Sequence, residues 1–403
     1  MPAAAAGQAP PDTARGSELT VTLLTFGVGA IIWERFGHNA LWIHDEKNGT
    51  DQAYDYGRFD FRQKNFFLHF AQGRNWYSMG AGPVQAYLAS YRQAERTTWA
   101  QELDLPPAAR ADLRDFLVWN DRPENRAYYY DYYRDNCSTR IRDALDKVLG
   151  GQIKRYGDSV RTDVTYRSET RRLTENSVLM HTLLMIGLGS PTDHRLSASE
   201  QMFLPIELRP HLDRITVTDP DGRVHPLVKR EAVIYQSNRF QVSDRPANWT
   251  PWYCLAGLLL GVALWRGGVG GGRVFWWSAT TWTIVAGLFG TALAALWGFT
   301  DHRVAYWNEN LFQLNLLSVA LAVLLPSARR DARRRRLALG LAGLVAGVAL
   351  LGLAVTVLPG FIQSNYDVIG LVLPIHLGLF VGLKGAVARA GAAETAMPSR
   401  RAA

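Results

Sequence analysis

The sequence predicts two unlike parts in one chain: an α+β domain over 19–248 and an all-α transmembrane domain of five helices over 249–403. Three observations predict this. Basic residues outnumber acidic ones by 44 to 36, yet residues 249–403 alone hold 13 basic and 5 acidic side chains, so the first 248 residues carry 31 of each. Apolar stretches of membrane-crossing length recur only from Trp249 onward. The preceding part instead mixes period-two alternation with short amphipathic helices. Because the whole charge excess sits in the C-terminal part, the pI near 9.5 is no nucleic-acid footprint on the soluble part. Two cysteines exclude a disulfide scaffold, and each must be judged as a single thiol.

Residues 1–18 are rich in Ala, Pro and Gly and are expected to be disordered. They lack the basic and apolar regions of an export signal, so an exported domain here implies a signal that was trimmed or lies upstream. From Leu19, LTVTLLTFGVGAII reads as a buried strand and turn, too short to cross a bilayer. HNALWIH and AYDYGRFDF alternate on either side of Asn48-Gly49, which is a hairpin signal. Residues 62–95 are mixed, with FFLHFAQG ending at Gly73. PAARADLRDFLVWN predicts an amphipathic helix over 107–120 with Pro at its start. After Asp135-Asn136, the spacing of Ile141, Leu145, Val148 and Leu149 predicts a second helix ending at Gly150-Gly151. Residues 160–190 read as helical, MFLPIELRPHL as a short helix near the membrane, and RITVTDPDGRVHPLV as a hairpin around Asp221-Gly222. VIYQSNRFQVSDRPANWTPW is read as a linker into the first span.

The five spans are expected at about 249–265, 275–298, 311–326, 337–358 and 367–383. Segments after the first, third and fifth hold 12 basic and 2 acidic residues, including the Arg333–Arg336 run. The alternate loops with Asp367 hold one basic and three acidic residues. The positive-inside rule then puts the C-terminus in the cytoplasm and residues 1–248 on the outer side.

Cys137 falls at a helix N-terminus, where unpaired N–H groups and the helix dipole favour a thiolate. A nucleophilic thiolate needs a base, and His38, at the head of the hairpin's first strand, is the candidate. Pairing across a two-residue Asn48-Gly49 turn sets Phe59, Gly57 and Asp55 opposite His38, Ala40 and Trp42, so Asp55 shares the face that would orient the imidazole. A cysteine packed as a small core residue is the competing reading. No Gly-rich phosphate loop, HExxH or paired cysteine is present, so no cofactor and no metal site are expected.

The stretches LLTFGVGAIIWERFGHNALWI, YDYGRFDF, GRNWYSM, RPENRAYYYDYYRDNCSTRIRDALD and GLGSPTDHRLSASEQMFLPIEL, with DHRVAYWNENLFQLNLL in the membrane part, resemble the Lnb family of Bacteroides-type lipoprotein N-acyltransferases. The resemblance runs over about 20–240 and more loosely over the spans. It implies that His38 and Cys137 form a catalytic pair in a permuted papain-like domain, of the NlpC and lecithin:retinol acyltransferase kind. Asn136, Arg140, Tyr56, His302 and Asn310 are then candidates for substrate binding. Glu34 departs from the small hydroxyl residue expected before FGH. The implied reaction moves an acyl chain from a membrane phospholipid, through a Cys137 thioester, to the α-amino group of a diacylated lipoprotein. It is placed on the periplasmic side of a bacterial inner membrane, and no nucleic acid is implicated. An NlpC-type cell-wall peptidase or amidase would use the same residues, and a non-enzymatic scaffold would use neither.

Overall fold

The computed structural model describes residues 14–239 and 242–395. The disorder expected over 1–18 thus lies mostly outside the described residues, as does the end of the basic C-terminal tail. Contacts divide the chain into two compact units that do not follow chain order. One runs to Tyr166 and resumes over Arg195–Asp244; the other joins Arg167–His194 to the chain from Arg245 onward.

The first unit is α+β. Its strands are β1 (Leu19–Phe26), β2 (His38–Asp45), β3 (Thr50–Arg58), β4 (Trp76–Pro83), β5 (Thr98–Leu103), β6 (Ala127–Tyr129), β7 (Thr216–Thr218), β8 (Val224–Pro226) and β9 (Val228–Tyr235). Seven form one antiparallel sheet in the order β6-β4-β3-β2-β1-β5-β9, while β7 and β8 are the hairpin expected around Asp221-Gly222. The helices are α1 (Phe66–Ala71), α2 (Val84–Gln93), α3 (Pro107–Asn120), α4 (Cys137–Val148), α5 (Gln152–Ser159), α6 (Tyr166–Thr174, whose length lies in the second unit), α7 (Val178–Gly187, in the second unit), α8 (Ala198–Gln201) and α9 (Pro205–Arg214).

Strand alternation sorts the sheet's two faces. Val21, Leu23, Leu41, Ile43, Tyr54 and Tyr56 pack with Leu113 of α3, Ile141 and Leu145 of α4, and Leu208 of α9. Leu24, Phe26, Ala40 and Ala53 face the other way, against Val84, Tyr87, Leu88 and Tyr91 of α2. MFLPIELRPHL is accordingly core: Leu208 and Leu212 of α9 are fully buried. VIY, expected in a linker, ends β9, which pairs with β5. That edge strand is exposed along nearly its whole length, so it shows none of the alternation by which a strand is recognised.

One register differs from expectation. The β2–β3 hairpin closes with a four-residue loop, because Asp45 pairs with Thr50 and its carboxylate accepts from the Asn48 backbone at 3.0 Å and the Asn48 amide at 2.8 Å. The slip is two residues, which preserves faces. Asp55 therefore stands opposite Ala40 rather than Trp42, one pair nearer His38.

Among the described residues, the second unit contains five helices long and apolar enough to cross a membrane. They are α10 (Thr250–Gly270), α11 (Arg273–Phe299), α12 (Leu317–Ala328), α13 (Ala332–Val355) and α14 (Tyr366–Thr395). The third apolar stretch runs Glu309–Ala328, but its regular helix begins only at Leu317, after a single 3-10 turn at Glu309–Phe312. Between α10 and α14 the backbones touch along a glycine seam. A Cβ on Gly257, Gly261 or Gly268 would collide with main-chain atoms of α14, and one on Gly378 or Gly382 with main chain of α10. Such small-residue seams let helices associate where water offers no drive.

Candidate active site

Cys137 is the first residue of α4, and the chain fixes it there through Asn136. The Asn136 carboxamide oxygen accepts from the backbone N–H groups of Ser138 (2.9 Å) and Thr139 (3.0 Å), two donors that a helix start leaves unsatisfied. Its NH₂ donates to the carbonyls of Tyr132 (2.9 Å) and Phe203 (3.0 Å), and the Asn136 backbone N–H donates to Thr139 Oγ1 at 2.8 Å. All of the Asn136 side chain is thus engaged in holding the helix start.

His38 opens β2 on the α2 face of the sheet. Its Nε2 stands 2.9 Å from Asp55 Oδ2, and its ring stacks near Tyr91 (centroids 6.1 Å) and Phe26 (6.4 Å). With Nε2 engaged, Nδ1 is the nitrogen left to face the Cys137 thiol, whose charge acts on the imidazole. Burial opposes a charged ring, but Tyr91, Cys137 and Asp55 together hold the His38 pKa well above the ordinary histidine value. Asp55 is buried; its Oδ1 accepts from Arg58 Nε at 2.7 Å and the Tyr87 hydroxyl at 2.8 Å. Burial raises this carboxyl, yet its bond to His38 and the neighbouring Arg58 and Tyr87 outweigh that, leaving its pKa below the ordinary aspartate value. The result is a Cys–His–Asp series in which Asp55 orients the imidazole beside the thiol.

Cys137 and His38 come from opposite layers, and they meet at the strand ends. There Gly57 has φ +95°, and a Cβ on it would lie 3.4 Å from Cys137 Cβ and 3.6 Å from the Tyr130 ring. The left-handed backbone at Gly57, which favours glycine, brings this strand end beside the start of α4.

Two of the other candidates lie in the packing around this series. The Tyr56 hydroxyl donates to Asn120 Oδ1 at 2.7 Å, deep in the core. Arg140 forms a two-pronged pair with Asp135 (2.6 and 2.8 Å), and its guanidinium carbon lies 3.7 Å from the Tyr128 ring centroid. Both side chains have protein partners. The residues that the sequence reading missed are Arg58, Tyr87, Tyr91 and Arg96. Tyr87 and Tyr91 sit one turn apart on α2, a spacing legible only once that helix is recognised. Arg96 is buried, donates from Nε to the Gly27 carbonyl at 2.8 Å, and lies over the Tyr91 ring at 4.7 Å.

The family model for the Lnb N-terminal periplasmic domain matches residues 8–172, and that for the Lnb transmembrane domain matches residues 243–379. The chain belongs to the Lnb family. No curated protein and no solved structure shows a significant match. Within this Lnb chain, Cys137, His38 and Asp55 all fall inside the first matched region and the five spans inside or across the second. His302 and Asn310 belong to the second compact unit. Asn310 is fully buried, and its NH₂ donates to the carbonyls of Met185 (3.0 Å) and Ile186 (2.9 Å) at the end of α7. Asn308 does the same with Ile186 and Gly187 at 2.9 and 3.0 Å. His302 precedes a 3-10 turn at Arg303–Ala305 without capping it by its side chain, and is half-buried. The paired asparagines of the Lnb loop thus clamp α7 within their own unit.

Proposed function

We propose that this Lnb protein is a thiol-dependent lipoprotein N-acyltransferase. The observation that carries the reading is the Cys137–His38–Asp55 series at the head of α4, in a chain that also spans a membrane. We read the first unit as a permuted papain-like fold, with the nucleophile at a helix N-terminus and the base on a strand that precedes it in sequence.

In the first half-reaction Cys137 sulfur, its proton held by His38, attacks an ester carbonyl of a membrane phospholipid. The backbone N–H of Cys137, in the first turn of α4, faces the developing oxyanion. The carbon–oxygen bond breaks, the lysophospholipid leaves with the proton from His38, and an acyl thioester remains. In the second half the α-amino group of a diacylglyceryl-cysteine at a lipoprotein N-terminus attacks that thioester. His38 accepts the amine proton, the carbon–sulfur bond breaks, and the thiolate–imidazolium pair returns. Asp55 keeps Nε2 engaged so that Nδ1 faces sulfur throughout. Asn136, Arg140 and Tyr56 position the series, and His302 and Asn310 shape the second unit. The reading places the reaction on the periplasmic side of the inner membrane.

Incubation with phospholipid, followed by mass spectrometry of the Cys137 peptide, is the test. An acyl adduct that vanishes in His38→Ala supports the reading. An adduct formed with peptidoglycan fragments and not with phospholipid would replace it with the peptidase reading.

A further inference from the structure

Two short elements of the first unit bury nothing. The 3-10 turn Ile32–Glu34 and helix α1 (Phe66–Ala71) contain no buried residue, although most of their side chains are large and apolar. Ile32, Trp33, Phe61, Phe67 and Leu68 are each more than half exposed, Phe67 by 76%. They form one surface: Trp33 meets Phe59 at 6.2 Å and Phe61 at 6.5 Å, and Phe61 meets Phe66 at 5.0 Å between ring centroids. Proteins rarely leave a contiguous aromatic patch in water without a partner for it.

Two features identify the partner. The patch is interleaved with charge: Arg62, Lys64 and Arg74 are exposed between or beside its aromatics, against Asp60, which pairs with Arg62, and the half-buried Glu34. Aromatic and aliphatic tips ringed by Lys and Arg match the acyl–headgroup boundary of a bilayer with anionic lipid. The same chain carries five membrane-crossing helices, so a bilayer is always at hand.

The patch also connects inward. Phe61 lies 5.0 Å from Phe59, Phe59 lies 5.3 Å from Tyr77, and Tyr77 stacks on Tyr130 at 4.2 Å. Tyr130 and Cys137 then share the space that Gly57 leaves empty. An unbroken aromatic track leads from the exposed patch to the thiol.

We propose that residues 31–35 and 59–74 form a lip that dips into the lipid surface, and that Phe59, Tyr77 and Tyr130 line the path an acyl chain takes to Cys137. The dip stands on the patch alone; the path rests on the acyltransferase reading.

The test uses the full chain in lipid nanodiscs containing phosphatidylethanolamine and phosphatidylglycerol. In a Cys137→Ser, Cys254→Ser background, spin labels are attached through Phe67→Cys or Ile32→Cys, with Asp163→Cys as a water-exposed control (side chain 93% exposed). Labels at 67 and 32 are expected to collide severalfold more with oxygen, relative to a soluble nickel chelate, than the label at 163. A label at 67 as open to nickel as the control, or shielded from both probes by protein, overturns the dip. Phe67→Asp with Leu68→Ser, in the otherwise native chain, should slow Cys137 acylation from bilayer phospholipid by about tenfold. Its alkylation by water-soluble iodoacetamide should stay unchanged. Equal losses in both reactions overturn the path, because they show a damaged site. Lipid contact of the label at 67, together with a native chain that never acylates Cys137, sinks the chemical reading and leaves the dip standing.

Discussion

Gly57 and Cys137 occupy one space: the side chain that Gly57 lacks would lie 3.4 Å from the β-carbon that carries the sulfur. Gly57→Ala should therefore act twice. A non-glycine residue at φ +95° costs about 1–3 kcal/mol, lowering the melting temperature. The added methyl would meet Cys137 at van der Waals contact, so any slowing of acyl-thioester formation should come from the strained backbone moving the thiol. Measured side by side, a normal melt and a normal acylation rate would show that the close approach is incidental.

Asp55→Asn should move the pH dependence of acylation. Asp55 is one of the groups holding the His38 pKa above its ordinary value, so its loss lets that pKa fall. If the imidazolium is needed to protonate the leaving alkoxide, activity is lost as pH rises through the His38 pKa. The alkaline limb should then shift to lower pH in the variant, with a lower maximum. An unmoved alkaline limb would assign the limb to another group.

His38→Ala removes the acid and base together. General acid–base catalysis contributes about 10²–10⁴-fold, and acylation should fall by that order. Because His38 lies at the start of a strand rather than in the middle of the core, thermal stability should change far less than in Gly57→Ala. Retained acylation would exclude His38 from the reaction.

Asn136→Ala removes the helix cap and two buried donors. Cap loss alone costs about 1–2 kcal/mol, and two carbonyls lose partners besides. Denaturation in detergent should show the loss, and the Cys137 alkylation rate should change with it as the helix start loosens. A stable variant with native alkylation would mean that backbone contacts alone fix Cys137.

Arg167 and Asp193 form an almost fully buried pair in the second unit, with two contacts at 2.9 Å from Arg167 Nε and one at 2.9 Å from Nη2. Replacing Asp193 by Asn strands the guanidinium and should cost about 3–5 kcal/mol, read as a lower melting temperature in detergent. Arg167→Met with Asp193→Leu should recover part of it. A harmless single change would mean that the Leu188 and Gly189 carbonyls suffice for Arg167.

The parts legible in the sequence were those with a strong period. Helix α3 occupies the predicted 107–120, α4 begins at Cys137, and the spans fall where the apolar stretches lie. The β4 strand was not recognised because WYSMGAGP places glycines where alternation would show, and β5 and β9 because their two faces are buried too evenly or too little. In the site, Cys137 and His38 were visible from a helix start and a strand start. Asp55 was visible on its face but displaced by one pair, since a cap from Asp45 to Asn48 lengthens the turn. Tyr87, Tyr91 and Arg96 lie on or just after a helix with a weak apolar period, and nothing local links them to His38. The clamping of α7 by Asn308 and Asn310 joins segments more than a hundred residues apart, and no local pattern encodes it.

The glycine seam is a contact that can close only late in synthesis. Its two sides lie on α10 and α14, which leave the ribosome before and after the three helices between them. Until α14 is inserted, the bare backbone ridge of α10 has only lipid against it. Three intervening helices must wait in the bilayer beside an unfinished neighbour. A chain that stops short of α14 therefore lacks the backbone against which α10 packs, as well as one helix.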